Sequence, residues 1–323
     1  MTDHGSGRSW IARLRGALGG SGSSASTTSR YAVRHLGTLQ PPAGYGHLVT
    51  ATVGETGLIA LWTRSDQEVQ QPGAEGALTA YGWPSGRSGS LDARQTLLVP
   101  RMPVAYPFVA SMTGGRWLLA GLDEQGRDLA CVLDSTGTVS HTGEIGEIPE
   151  GVTTDRDDDV WVVGSRSGPR LTRWTPELRP RWSLPPGTAA DDGLVSMTLA
   201  RGDVWALPFP GSVVLRVAGG RVNAVTGIPT GGLGVIVYGD WIGVLDAGTR
   251  ADEVVIGQVA GDRFSESHRV LLQHPHGGPL PSCPVYCRED TAYLIDGPDA
   301  YAVSLTALLA HAGLVFSDPI DRQ

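Results

Sequence analysis

The feature that most constrains the fold of this chain is a recurring unit, a tight turn followed by a short apolar strand led by an aromatic residue. Five copies are led by Trp117, Trp161, Trp205, Trp241 and Tyr293. From the first to the last, four steps cover 176 residues, an average of 44 per step. That is the length of a four-stranded propeller blade. The repeat therefore predicts an all-β chain whose five aromatic side chains are buried between neighbouring sheets.

The number of blades follows from what lies outside these five copies. A weaker sixth copy spans residues 48–62, and its outer part carries an insertion rich in Gln, Gly and Ser from about 65 to 77. The last copy, residues 284–309, supplies only three strands, whereas residues 31–39 alternate like an outer strand. We therefore expect a six-bladed β-propeller of four-stranded antiparallel blades, whose last blade is completed by this N-terminal strand, closing the ring.

The same pattern predicts the domain organisation. We expect a single propeller over residues 30–315, an N-terminal tail over 1–29 that is disordered or partly helical, and a C-terminal tail over 316–323. The Gly- and Ser-rich run 19–28 cannot bury enough apolar surface to order itself. Residues 10–18 could instead form a short amphipathic helix that touches a membrane or a partner. No apolar run approaches the roughly 18 residues that a membrane span needs.

Charge and cysteine content narrow the class of partner and the compartment. The formal net charge is −8, all 25 basic residues are arginine, and no block of them forms a binding stripe. We therefore expect no nucleic-acid partner. Three cysteines, an odd number in a long chain, do not form a disulfide scaffold. With no signal-peptide core in the first residues, the composition predicts a cytoplasmic protein.

Part of the sequence resembles a family of uncharacterised six-bladed propellers from actinobacteria, themselves distantly like NHL and lactonase-type propellers. The matching segments are Gly114-Gly-Arg-Trp-Leu-Leu119, Asp134-Ser-Thr-Gly137, Glu147-Ile-Pro-Glu-Gly-Val152, Trp161-Val-Val163, Arg201-Gly-Asp-Val-Trp205 and Arg216-Val-Ala-Gly-Gly-Arg-Val222. The resemblance covers roughly two thirds of the chain and implies a fold but no activity. Where the family carries an aromatic and acidic loop, this chain has Gly164-Ser-Arg-Ser-Gly-Pro169, so any function of that loop is changed here.

Several reaction classes lack their sequence motifs. No Gly-x-Ser-x-Gly elbow, His-Glu-x-x-His helix or Gly-x-Gly-x-x-Gly fingerprint occurs, and a Walker loop needs a lysine that is absent. Lactonase-type propellers hold calcium with a Glu, an Asp and two Asn, but this chain has one asparagine, Asn223. A divalent cation held in the channel by carboxylates and carbonyls remains an alternative, and we assign no cofactor.

The beginnings of the innermost strands ring the channel mouth of a propeller, where small ligands bind. Counting back eleven to thirteen residues from each aromatic gives His47, Tyr106, Glu150, Asp192, Thr230 and Cys283, the last next to Ser282. Glu150 and Asp192 lie on adjacent blades, so they could share a cation or act as an acid and a base. The alternative is a wet channel lined by polar residues without a role.

Two other clusters admit a metal or a structural interpretation. The segment Asp155-Arg-Asp-Asp-Asp159 has the alternating aspartates of a calcium loop but lacks its glycine and distal glutamate, so a turn is favoured. His274, His276, Cys283 and Cys287 are the ligand types of zinc. Cysteines four apart on a strand are about 13 Å apart, which favours buried cysteines and a polar loop.

The sequence thus favours a non-catalytic binding or scaffold protein that presents its channel mouth or a flat face to an unknown protein or small molecule. We assign no catalytic and no metal-binding residue. The alternative is a metal-dependent or acid/base hydrolase that uses the carboxylates of the channel mouth.

Overall fold

The computed structural model describes residues 28–65, 71–83, 90–145, 149–164, 170–188, 193–208, 211–246 and 252–314. Within these ranges the chain is almost entirely β-structure. The strands are β1 Thr28–Ala32, β2 Arg34–Leu39, β3 His47–Val53, β4 Gly57–Thr63, β5 Gly76–Gly82, β6 Ser90–Leu91, β7 Ala93–Val99, β8 Ala105–Ser111, β9 Trp117–Leu122, β10 Asp128–Leu133, β11 Val139–Glu144, β12 Pro149–Thr154, β13 Val160–Gly164, β14 Leu171–Trp174, β15 Pro180–Ser183, β16 Leu194–Ala200, β17 Asp203–Pro208, β18 Val213–Ala218, β19 Arg221–Thr226, β20 Gly232–Tyr238, β21 Trp241–Asp246, β22 Glu253–Ala260, β23 Arg263–Gln273, β24 Val285–Arg288, β25 Thr291–Asp296 and β26 Asp299–Ser304.

Successive strands form antiparallel hairpins that group into sheets in chain order. Three sheets have four strands each, β3-β4-β5-β7, β8 to β11 and β12 to β15. A nine-stranded sheet contains the runs β16 to β19 and β20 to β23, joined by one parallel pair between Thr226 and Arg263. A five-stranded sheet has the order β24-β25-β26-β2-β6.

The first strands of these runs form the centre of the molecule. We call β3, β8, β12, β16, β20 and β24 the inner strands. In chain order each contacts the next, and β24 contacts both β3 and β16, so that together they form a ring. Sheets arranged in this way around a ring are a β-propeller. Since every run follows the same path, the inner strands begin at one end of the ring, the starting end, and turn back at the other, the turn end.

The ring is closed by strands from its two chain ends. Strand β2 pairs antiparallel with β26, which adds an N-terminal strand to the C-terminal sheet as predicted for residues 34–39. The prediction was wrong for Tyr31 and Ala32, which pair instead in parallel with β23. Thr28 and Ser29, assigned to the tail, also belong to β1; residues 1–27 and 315–323 lie outside the described ranges. The short strand β6, also unpredicted, pairs in parallel with β2.

Apolar side chains between neighbouring sheets form the core. Trp117, Trp161, Trp205 and Tyr293 are buried, as expected for aromatic residues that lead each second strand. Trp241 is only partly buried and packs at the edge of a cluster. The prediction that it is a buried core residue like the other four was therefore wrong.

The α-helix α1 (Leu305–His311) replaces the strand continuation expected for residues 305–309. The Ser304 hydroxyl caps it by accepting a hydrogen bond from the Ala307 N–H. Its apolar face, including Leu305 and Leu308, packs against the last two runs. Among the described residues no helix has the length and apolar character needed to cross a membrane.

Candidate functional site

The starting end of the ring is built from bulged strands. Five of the six inner strands shift register against their second strand close to where they begin. The extra residues lie between Leu48 and Thr50, Ala105 and Phe108, Pro149 and Gly151, Leu194 and Ser196, and Gly232 and Gly234. A bulge leaves a residue out of the ladder and re-aims its side chain, and such bulges are enriched beside functional sites.

Tyr106 stands out at this end. It is the first residue of the β8 bulge, its φ is 48°, and 41% of it is exposed. A residue with a bulky side chain is rarely found in the left-handed region of backbone conformation. The residue before a proline, as Tyr106 is, normally has an extended backbone. Among the described contacts no hydrogen bond, ion pair or ring contact holds Tyr106 in place. Strain of this kind, with an exposed aromatic ring, is typical of a functional position.

Of the six predicted mouth residues, the structure describes five. His47 begins β3, and Glu150 is the bulged residue of β12; both are half-buried. Thr230 is exposed in the turn before β20, and Cys283 is half-buried just before β24. Asp192 lies outside the described residues, so the predicted carboxylate pair with Glu150 stays a prediction.

Contacts between inner strands group these positions. Strand β8, which carries Tyr106, lies between β3 and β12, so His47, Tyr106 and Glu150 begin or lie near the start of three adjoining strands. Thr230 and Cys283 precede the adjoining pair β20 and β24. Within the described ranges no three His, Cys, Asp or Glu side chains converge in a way that could hold a metal ion.

The cysteine and histidine cluster is divided between two environments. The Cys287 sulfur packs against Gly234 of β20, where an added Cβ would lie 2.8 Å away, and burial raises the pKa of this thiol to about 12. His274 instead lies with its Nε2 3.1 Å from the Tyr301 hydroxyl, while its Nδ1 accepts from the His276 N–H. A buried neutral thiol is a packing group rather than a thiolate ligand.

The segment 155–159 is a structural turn. The Asp155 carboxylate accepts from the N–H groups of Asp157 and Asp159, both at 3.0 Å, and from the Trp161 indole at 3.0 Å. These are the bonds of an aspartate turn. Arg173 completes it at 2.9 Å.

Two of the other three carboxylates of the turn, those of Asp158 and Asp159, are also occupied. Asp159 has no exposed surface and lies 2.7 Å from Arg173 and 2.6 Å from Arg181. Burial raises the pKa of Asp159, and the two guanidinium groups oppose that shift. Asp158 pairs with Arg116 of the preceding run at 2.6 Å. The turn thus joins neighbouring sheets, and the carboxylates of Asp155, Asp158 and Asp159 are bound to arginines and backbone instead of facing one ion.

The turn end carries a feature that sequence reasoning missed. The turn between β24 and β25 reaches across to two other inner strands. The Glu289 N–H donates to the Leu199 carbonyl at 2.9 Å, and the Val237 N–H donates to the Glu289 carbonyl at 2.9 Å. The Glu289 carboxylate accepts from the Arg201 N–H at 3.2 Å. Main chain from three runs therefore meets at this end of the ring.

Charged side chains surround this meeting point. Arg156 of the third run approaches Glu55 of the first, with 3.9 Å between Nε and Oε1. Arg288 precedes Glu289 and is half-buried. The sequence does place an acidic or basic residue in each of these four inner hairpin turns. Charged residues are common in turns, however, and nothing in the sequence shows that these four turns lie close together.

Comparison with known proteins supports the architecture. No family model matches the chain, and no curated protein matches it. It is similar to the structure of Kluyvelomyces marxianus Hsv2, with 6% identity over 77% of this chain and 73% of that one and a TM-score of 0.50. It is also similar to a streptogramin B lyase, with 13% identity, 84% and 97% coverage and a TM-score of 0.48.

A third similar structure is the PQQ-bound aldose sugar dehydrogenase of Streptomyces coelicolor, with 11% identity, 89% and 99% coverage and a TM-score of 0.45. At such low identity these likenesses concern the fold alone. The sheet order and the ring of inner strands identify the chain as an all-β propeller, and the likeness to Hsv2 agrees with this fold.

Proposed function

We propose that the ring has six blades and belongs with the actinobacterial propellers that its sequence resembles. Six antiparallel runs of four strands support this count when the nine-stranded sheet is divided at its single parallel pair, Thr226 with Arg263. One parallel pair between outer strands is a weak connection compared with the antiparallel ladders within each run.

We further propose that the protein is a non-catalytic binding propeller whose starting end holds a protein or small-molecule partner, with Tyr106 as the anchor. The observation that carries this proposal is the strained and exposed Tyr106 within a ring of bulged strands. Exposed tyrosines supply much of the contact energy in binding sites. His47 and Glu150, near the start of the adjoining inner strands, add groups that can donate and accept hydrogen bonds.

The compartment we propose is the cytoplasm. The three cysteines, all in the described part of the chain, form no disulfide. Burial raises the pKa of both Cys131 and Cys287 to about 12, which makes them poor partners for thiol exchange. Free thiols are the usual state in a reducing compartment.

A photo-crosslinking amino acid tests the binding proposal. It is placed at position 106 and, as a matched control, at Leu98, which is 51% exposed on the outer strand β7. After irradiation of cells that contain the protein, we expect adducts of discrete mass at position 106 and none at position 98. The same adducts at both positions, or none at position 106, would refute a binding site at the starting end.

The alternative, hydrolysis by Glu150 and Asp192 with or without a cation, is decided by a separate measurement. Metal content and ester or lactone hydrolysis are compared for the purified protein and Glu150→Ala. We expect neither bound metal nor hydrolysis in either form. Stoichiometric metal or turnover that disappears in Glu150→Ala would establish the enzyme instead.

A further inference from the structure

Arg288, the last residue of inner strand β24, differs from three other half-buried arginines. Arg116, Arg173 and Arg269 each have a carboxylate oxygen within 2.9 Å of the guanidinium. Within the described residues no hydrogen bond and no ion pair shorter than 4.0 Å reaches the Arg288 guanidinium. Burial lowers the pKa of Arg288, with the charges of Glu55 and Glu289 acting in the opposite direction.

A half-buried guanidinium without a partner is unfavourable unless something else supplies the missing acceptor. Loss of hydration destabilises a charged group when no ion pair or hydrogen bond replaces it. The neighbouring carboxylates are already engaged, since Glu289 accepts from the Arg201 N–H and Glu55 faces Arg156. The Arg288 guanidinium therefore has no described acceptor within hydrogen-bonding distance, although the charges of Glu55 and Glu289 act on it.

Two more arginines lie on the turns around Arg288. Arg156 is close enough for its positive charge to lower the pKa of Arg288. Arg201 lies beside Glu289, with its guanidinium 5.9 Å from the Tyr238 ring and no carboxylate within 4.0 Å among the described residues. The three arginines come from three different runs, and main-chain hydrogen bonds of Glu289 fix the turns of β16 and β24 relative to each other.

We propose that the turn end of the ring binds a small oxyanion, a carboxylate or a phosphate, with Arg288 as its main ligand and Arg156 and Arg201 at the rim. The planar guanidinium fork matches the oxygens of either group and forms short charge-assisted hydrogen bonds with them. The site lies at the opposite end of the ring from Tyr106, so it is independent of the binding function proposed above.

Titration calorimetry with inorganic phosphate and, separately, with acetate tests the site and distinguishes the two anions. Arg288→Gln removes the main ligand, Glu55→Gln removes a nearby negative charge, and Arg263→Gln is the control, an exposed arginine on an outer strand. We expect at least one anion to bind the unmodified protein. Its affinity should fall at least tenfold in Arg288→Gln, rise several-fold in Glu55→Gln and stay unchanged in Arg263→Gln.

Opposite effects of Arg288→Gln and Glu55→Gln cannot come from general loosening of the fold, and circular dichroism confirms that each variant is folded. The proposal is wrong if neither anion binds the unmodified protein, or if Arg288→Gln binds as tightly as the unmodified protein. A Tyr106→Ala variant should bind the anion as tightly as the unmodified protein. If the anion site is refuted, the proposed binding site at the starting end is therefore unaffected, and refutation of the starting-end site leaves the anion site unaffected.

Discussion

At the scale of single residues, the positions that best indicate function are residues other than glycine whose backbone lies in the left-handed region. Five described residues other than glycine have positive φ: Tyr106, Asp158, Leu178, Arg201 and Glu289. Such a conformation costs of order 1–3 kcal/mol and persists only where the surroundings compensate for it. Asp158 pairs with Arg116, Leu178 is buried, and Glu289 makes three cross-strand hydrogen bonds. Tyr106 has no such compensation among the described contacts.

Replacement of Tyr106 by glycine should therefore stabilise the protein. Glycine adopts a φ of 48° without strain, and its extra freedom in the unfolded chain offsets only part of the gain. We expect the free energy of unfolding, measured by urea denaturation, to rise by about 1 kcal/mol.

The matched variant is Leu178→Gly, at a φ of 60° but with a side chain that is 5% exposed and packs against Gly143. There the loss of buried apolar surface exceeds the relief of strain, so the protein should be less stable by about 2 kcal/mol. If Tyr106→Gly also destabilised the protein, the Tyr106 ring would have a packing role, and its use as a binding anchor would lose its main support.

At the scale of elements, the hairpin turns repeat one device. Asp123 and Asp134 each open a turn, and their carboxylates accept backbone N–H groups two and four residues later. Gly126 and Gly137 take the left-handed position of these turns. Asp155 opens the same kind of turn, but there Asp158 holds the left-handed position. A side chain at that position lets the turn bond to the neighbouring sheet.

These turns should make stability depend on pH. The Arg127 N–H, foremost, lowers the pKa of Asp123, and the Thr136 hydroxyl, foremost, lowers that of Asp134. Since each folded-state pKa lies below its unfolded value of 3.8, the folded state binds fewer protons. The stabilisation is therefore complete above about pH 5 and is lost as the pH falls through the folded-state pKa.

The double variant Asp123→Asn with Asp134→Asn keeps an acceptor oxygen but cannot titrate. Its free energy of unfolding should be lower at neutral pH and should fall less steeply than that of the unmodified protein below pH 4. Urea denaturation at a series of pH values measures both. Asp262→Asn, in an exposed turn, serves as the control. Parallel pH profiles for the double variant and the unmodified protein would contradict the assignment.

The elements also show how far sequence reasoning extends. The spacing of Trp117, Trp161 and Trp205 predicted the second strands because each aromatic packs between adjacent sheets, a local rule. The pairing of Tyr31 with β23 was missed because parallel pairs join distant segments and leave no alternation of their own. Likewise, the bonds of Glu289 to Leu199 and Val237 join separate runs and depend on the closed ring. Tyr106 could be placed at the starting end by counting, whereas its strain could not.

At the scale of the whole molecule, the ring depends on contacts between the two ends of the chain. Leu39 is fully buried in the cluster between the first and last runs. Nearby, Leu91 of β6 is buried, and Trp83 stacks on Tyr293 with ring centroids 5.3 Å apart. A propeller open at this point would expose two sheet edges and both apolar faces. Closure between distant segments therefore controls the stability of all the sheets.

A disulfide across the closure should stabilise the ring far more than one within a hairpin. Thr38 of β2 and Asp299 of β26 are directly paired, at the Cα spacing that a disulfide needs. In a Cys283→Ser background, we expect the oxidised form of Thr38→Cys with Asp299→Cys to exceed its reduced form in free energy of unfolding by about 5 kcal/mol, because the bridge closes a very long loop.

The matched control is Asp296→Cys with Asp299→Cys, which shares one position but closes only the turn between β25 and β26. The same relation gives about 2 kcal/mol for so short a loop. Urea denaturation with and without reductant measures both differences. Equal gains for the two bridges would contradict the prediction and would mean that the chain ends already stay together in the unfolded ensemble. A larger gain for the long bridge would show that β2 separates from β26 only when the whole propeller unfolds. Only in that case does the bridge reduce the conformational entropy of the unfolded chain across all the sheets.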